Sequence, residues 1–167
     1  MDAKSYERHL AELSELLKGG DVGYARTPLD VLMRVGAITA GQVIVWGSAH
    51  VGSPGPQLDV VVFTKNAVVR AVRNSEPSGG TFVTAFPRSE LRVLSVDGGD
   101  HEAWGDMRDP YWPPDGRVLA QYENGVQLGL PLFQGPLPKH VRESFGQFLP
   151  SLFSDLGRNR SDSTPQG

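Results

Sequence analysis

The chain contains no cysteine, which excludes disulfides, thiolate nucleophiles and cysteine-ligated metals. It has no apolar run near the about 18–20 residues that a bilayer-spanning helix needs. Its opening, MDAKSYERHL, carries no signal-peptide core. Nor is there an excess of positive charge: the formal charge is -3, which argues against general nucleic-acid binding. A soluble cytoplasmic protein is the expectation. Catalytic and cofactor motifs are missing as well. There is no Gly-x-Ser-x-Gly elbow, phosphate loop, Gly-x-Gly-x-x-Gly after a strand, or His-Glu-x-x-His. His9, His50, His101 and His140 are scattered. Only His101 has carboxylates nearby, in Asp97, Asp100, Glu102 and Asp106, and their spacing matches no calcium loop. No cofactor and no metal are therefore expected, and an enzyme is not the favoured class.

What is present suffices for a core. At 167 residues, 39% hydrophobic and 21% charged, the chain has the size and composition of one globular domain with short appendages. Residues 2–18 read as a helix with Tyr6, Leu10, Leu13 and Leu17 on one stripe, Asp2 as its cap and Gly19-Gly20 as its stop. A second, short helix opens at Thr27-Pro28-Leu29-Asp30, presents Leu29, Leu32 and Met33, and is expected to end at Gly36.

From Gln42 the period changes to two. Strands are expected at 43–51, 58–64, 67–73, 81–86 and 91–96, then at 117–123 and 126–133 after a long break. Lys65-Asn66 and Asn124-Gly125 mark hairpins, the latter in the type I′ pattern, which needs positive φ at both positions. The closing segment, PKHVRESFGQFLPSLFSDL at 138–156, spaces Val141, Phe145, Phe148, Leu149, Leu152, Phe153 and Leu156 as one helical stripe. Pro150 predicts a bend or a boundary there, and Gly157 a stop.

The fold class expected is therefore mainly β (α+β). It is a roughly seven-stranded antiparallel barrel or orthogonal sandwich, capped by a C-terminal helix and preceded by a helical extension over 1–40. The barrel and its helix occupy 41–157, and 158–167 is a polar tail. The hairpin DVVVFTKNAVVRAV at 59–72, the segment FPRSELRVLSV at 86–96, and above all the order of seven strands followed by a helix resemble the bacterial pleckstrin-homology-like (PH-like) family. That resemblance covers residues 42–156 and implies a bacterial binding or scaffolding module. The helices before it and the 97–116 insertion depart from the family's minimal pattern. Phosphoinositide binding, the best-known activity there, relies on clustered Lys and Arg after the first strand. SAHVGSPGPQLD at 48–59 has no basic residue except His50.

The remaining candidate surface is that insertion, DGGDHEAWGDMRDPYWPPDG, where periodicity fails. Trp104, Tyr111 and Trp112 offer contact area at low entropic cost. Pro110, Pro113 and Pro114 stiffen the segment, and acids including Asp106 and Asp109 would steer it to a basic partner. The expected function is thus non-catalytic: binding or scaffolding of an unknown protein partner through Trp104, Tyr111, Trp112, Asp106 and Asp109. A small enzyme or ligand carrier with a barrel-mouth pocket is the alternative. The double change Trp104→Ala with Trp112→Ala should abolish partner binding in a pull-down while leaving the melting temperature near parental. A collapse in melting temperature would make these indoles core residues instead.

Overall fold

The computed structural model describes residues 2–18, 27–52, 57–74, 80–97, 117–132 and 138–161. The candidate residues Trp104, Asp106, Asp109, Tyr111 and Trp112 lie outside that set. The chain divides into two compact units, Met1–Pro87 with Leu132–Gln134, and Arg88–Pro131 with Gly135–Gly167.

In the first unit, helices α1 (Ala3–Lys18) and α2 (Leu29–Thr39) precede strands β1 (Ile44–Gly52), β2 (Gln57–Thr64), β3 (Ala67–Arg73) and β4 (Thr81–Pro87). The strands form one antiparallel sheet in the order β1-β2-β3-β4. Period-two alternation decides which face each side chain joins. Ala49, Leu58, Val60, Val62, Val69 and Ala71 form the core with Leu13 and Leu17 of α1 and Val31, Leu32 and Val35 of α2. The opposite face carries Trp46 and Phe63, their rings 5.9 Å apart and tilted. Further along that face lie Asp59 and Arg70.

Helix α1 begins where expected: Asp2 accepts hydrogen bonds from the Ser5 N–H at 2.8 Å and the Ser5 hydroxyl at 3.1 Å. Helix α2 departs from the sequence reading at both ends. Its N-cap position is Pro28, with no side-chain cap, and Asp30 instead ties Arg73 (2.7 Å) and Thr81 (3.0 Å) at the ends of β3 and β4. Gly36 does not stop the helix. A Cβ there would lie 2.4 Å from Leu10 Cδ2, so this glycine permits close approach of α1 and α2. The chain turns later, around Gly41 at φ 76°.

The second unit holds a 3-10 turn at Arg88–Glu90, strands β5 (Leu91–Asp97), β6 (Arg117–Tyr122) and β7 (Gln127–Leu130), and helix α3 (Lys139–Ser161). Its three strands form a separate antiparallel sheet, β5-β6-β7. The seven strands therefore do not close into the expected barrel: among the described residues no ladder joins β4 to β5 or β1 to β7. Pro87, which has no N–H, and the 3-10 turn interrupt the run from β4 to β5. Strand β7 stops short of the expected Phe133 because Pro131 cannot donate to the ladder; the Leu130-Pro131 bond is cis.

Helix α3 lies against β5 and the 3-10 turn. Val141, Phe145, Phe148, Leu149 and Leu152 are buried on its stripe, but Phe153 is 45% exposed. The helix runs through Pro150 and past Gly157 without the expected boundaries.

The β6–β7 hairpin sits where Asn124-Gly125 placed it, but it is not a two-residue type I′ turn. Gly125 N–H donates to Tyr122 O at 3.0 Å, and Tyr122 N–H donates to Val126 O at 2.9 Å. Those bonds enclose a three-residue loop, Glu123-Asn124-Gly125, with Gly125 left-handed at φ 82°. This is the type I turn plus glycine bulge of three-residue hairpins. Asn124 Oδ1 also accepts from Val126 N–H at 3.0 Å. Gly125→Val should therefore destabilise by about 1–3 kcal/mol through the positive φ. The check is a denaturant midpoint, and one equal to the parent's would contradict this turn.

Candidate functional site

Three polar constellations stand out among the described residues, and two of them are structural. In the second unit, Arg88 and Asp155 are both almost fully buried. Arg88 Nε donates to Asp155 Oδ2 at 2.8 Å, and Nη2 reaches the same oxygen at 2.7 Å. Nη2 also donates to the Ser151 hydroxyl (2.9 Å) and carbonyl (3.2 Å). The guanidinium lies 5.7 Å from the centre of the Phe148 ring. Burial pushes the nearby Tyr122 phenol well above its ordinary range; the Asp155 charge adds to this and Arg88 opposes it. That phenol stays protonated. With its donors directed at Asp155 and Ser151, the guanidinium clamps the part of α3 beyond Pro150 to the 3-10 turn.

The second constellation is the Asp59–Arg70 pair on the sheet of the first unit. Arg70 Nε and Nη2 reach the two carboxylate oxygens at 3.1 and 2.6 Å, a bidentate match. The hydrogen bond to Asp59 raises the Arg70 pKa further, against the opposing effect of burial. The pair crosses from β2 to β3 and helps hold their register.

The third is a cleft of about 470 Å³ between α1 and the start of β1, lined by His9, Glu12, Leu16, Gln42, Val43 and Ile44. Helix spacing brings its α1 wall together: His9, Glu12 and Leu16 succeed one another at three and four residues. Gln42 is fixed at both ends of its amide. Its Oε1 accepts from the Thr64 hydroxyl at 2.7 Å, and its Nε2 donates to Ile38 O at 3.0 Å. Gly47 lets α1 settle close to the strand, since a Cβ there would stand 2.9 Å from Leu16 Cδ2 and 3.3 Å from Val61 O.

His9 is buried and its Nε2 lies 2.8 Å from Thr39 Oγ1. The Thr39 hydroxyl donates its single proton to Val35 O at 2.9 Å. Proton counting therefore makes Nε2 the donor and Thr39 the acceptor. A histidine beside a hydroxyl suggests a base and nucleophile. Here the hydroxyl is fully buried and its proton is engaged by a helix carbonyl, so the pair is a structural bond between α1 and α2.

The apolar wall of the cleft continues outwards. Val43 is 69% exposed and Val45 41% exposed. The register shift between Ile44 and Trp46 leaves Val45 without a partner on β2. Among the described residues β1 is an edge of its sheet, and bulges collect at such edges. No family model, no curated protein and no solved structure matches this chain.

The sequence reading did not single out this cleft. His9 does fall four residues before Leu13 and eight before Leu17, on the buried line of α1, and that spacing was the available signal. Among the described residues no group of three or more His, Asp and Glu gathers as a metal site. No described helix is long and apolar enough to cross a membrane.

For the clamp, Arg88→Met should cost about 3–5 kcal/mol, because it strands a buried carboxylate. Arg88→Met combined with Asp155→Leu should recover most of that loss. Denaturant midpoints of the two variants test this, and a single variant as stable as the parent would contradict it.

Proposed function

We propose that the chain is a non-catalytic binding or scaffolding module that mediates protein–protein contact, docking an extended partner segment at the start of β1. The observation that carries this reading is that exposed Val43 lines the α1–β1 cleft just before β1, and exposed Val45 follows on a strand that is an edge among the described residues. Edge strands offer main-chain groups to an added strand, and alternate side chains of that strand can enter adjoining pockets. In this reading Trp104, Tyr111 and Trp112 serve as further aromatic anchors on the partner. The setting is cytoplasmic.

As to fold family, we propose the PH-like arrangement. What supports it is the chain order: seven strands in antiparallel meanders, then one long helix. The paired states of Arg70 and Arg88 speak for the protein-binding role over the anionic-lipid role, since both guanidinium groups are engaged by carboxylates.

The test is selection of peptides from a displayed random library against the full chain. Peptides should be enriched, and Val43→Asp should abolish their binding without changing the melting temperature, because the side chain is exposed. Enriched peptides that bind the Val43→Asp variant equally well would contradict docking at β1.

A further inference from the structure

We infer that the α1–β1 cleft receives a basic side chain, best an arginine, carried by the docked segment; this rests on the docking reading above and names its chemistry. The argument is one of charge and shape. Among the described residues six line the cleft, and Leu16, Val43 and Ile44 supply apolar surface. Gln42 has both ends of its amide committed, to Thr64 and Ile38. Gln42 keeps one Nε2 N–H, and the charged group in the lining is the Glu12 carboxylate, which accepts.

Glu12 is exposed on α1 and takes part in no ion pair among the described residues. Its helix neighbour Glu15 is the one paired with Lys18. A carboxylate or phosphate ligand would therefore be repelled by the charge that the described lining carries. A guanidinium brings five donors and a planar fork that fits a carboxylate bidentately. Its methylene stem can lie along the apolar wall while the charged head reaches Glu12. The volume of about 470 Å³ falls within the range of small-ligand sites, ample for one long side chain with its flanking backbone. The net charge of -3 favours approach of a basic segment.

The experiment titrates the full isotopically labelled chain with two synthetic pentapeptides, acetyl-Val-Arg-Val-Thr-Val-amide and its counterpart with Glu for Arg, following backbone amide shifts. The arginine peptide should give saturable shifts at residues 9, 12, 16 and 42–45, and the glutamate peptide none. Glu12→Gln should weaken the arginine peptide about tenfold, as loss of one charge-assisted bond implies. Glu12→Lys should transfer the preference to the glutamate peptide. Equal binding of both peptides, an arginine peptide indifferent to Glu12→Gln, or no saturable shift with either would overturn the inference. If both peptides bind equally and Val43→Asp abolishes both, docking at β1 stands and the basic-side-chain assignment alone falls.

Discussion

Close approach at two glycines governs the first unit. Gly36 admits Leu10 of α1 to the surface of α2, and Gly47 admits Leu16 and Leu17 of the same helix to β1. A larger residue at either point would meet a side chain already in van der Waals contact. Because α1 can come this near, His9 reaches Thr39, Tyr6 donates its phenol to Met33 O at 3.0 Å, and Leu13 is fully buried. The candidate cleft is the space left where the same helix passes the start of β1. Its shape therefore depends on how closely α1 is seated.

Charges are arranged around that packing by burial. Arg88 and Asp155 are deeply buried, Asp59 and Arg70 partly, Asp30 and Arg73 largely exposed. The first pair is costly to break from one side. The last contributes little by Coulomb attraction, and its use is geometric: Asp30 touches both Arg73 and Thr81, the end of β3 and the start of β4. These pairs serve structure, whereas Glu12 lines a cleft and takes part in no ion pair among the described residues. That contrast is the physical basis for reading the cleft as a place for a partner's cation.

The sequence made much of this legible, and the limits have physical causes. Alternation located all seven strands within a few residues, since a half-buried strand must alternate. It could not tell that the strands divide into two sheets after Pro87, because pairing is a long-range choice. Asn124-Gly125 located the hairpin; the loop length was hidden, because Gly125 serves a three-residue loop with its positive φ as readily as a two-residue one. Gly36 read as a stop because a glycine in sequence carries no sign of what packs against it. Pro150 reads as a bend or a boundary, and of the two the boundary does not occur: buried Phe148, Leu149 and Leu152 on either side of it, together with the Arg88 clamp, hold the helix continuous. His9 falls on the stripe of Leu13 and Leu17, but its burial depends on the Thr39 hydroxyl thirty residues on, which spacing within α1 does not show. The aromatic insertion at 97–116 is the most conspicuous functional signal in the sequence, and all of it but Asp97 falls outside the described residues.

The most direct measurement of the central claim, that glycine-limited seating of α1 fixes both the core and the cleft, is made on Gly36→Leu. Overpacking at a tight contact costs about 1–3 kcal/mol. We expect a lowered denaturant midpoint together with amide shift changes at His9, Glu12 and Gln42, none of which is adjacent to residue 36 in sequence. A variant with parental stability and unchanged shifts at those three residues would contradict the account.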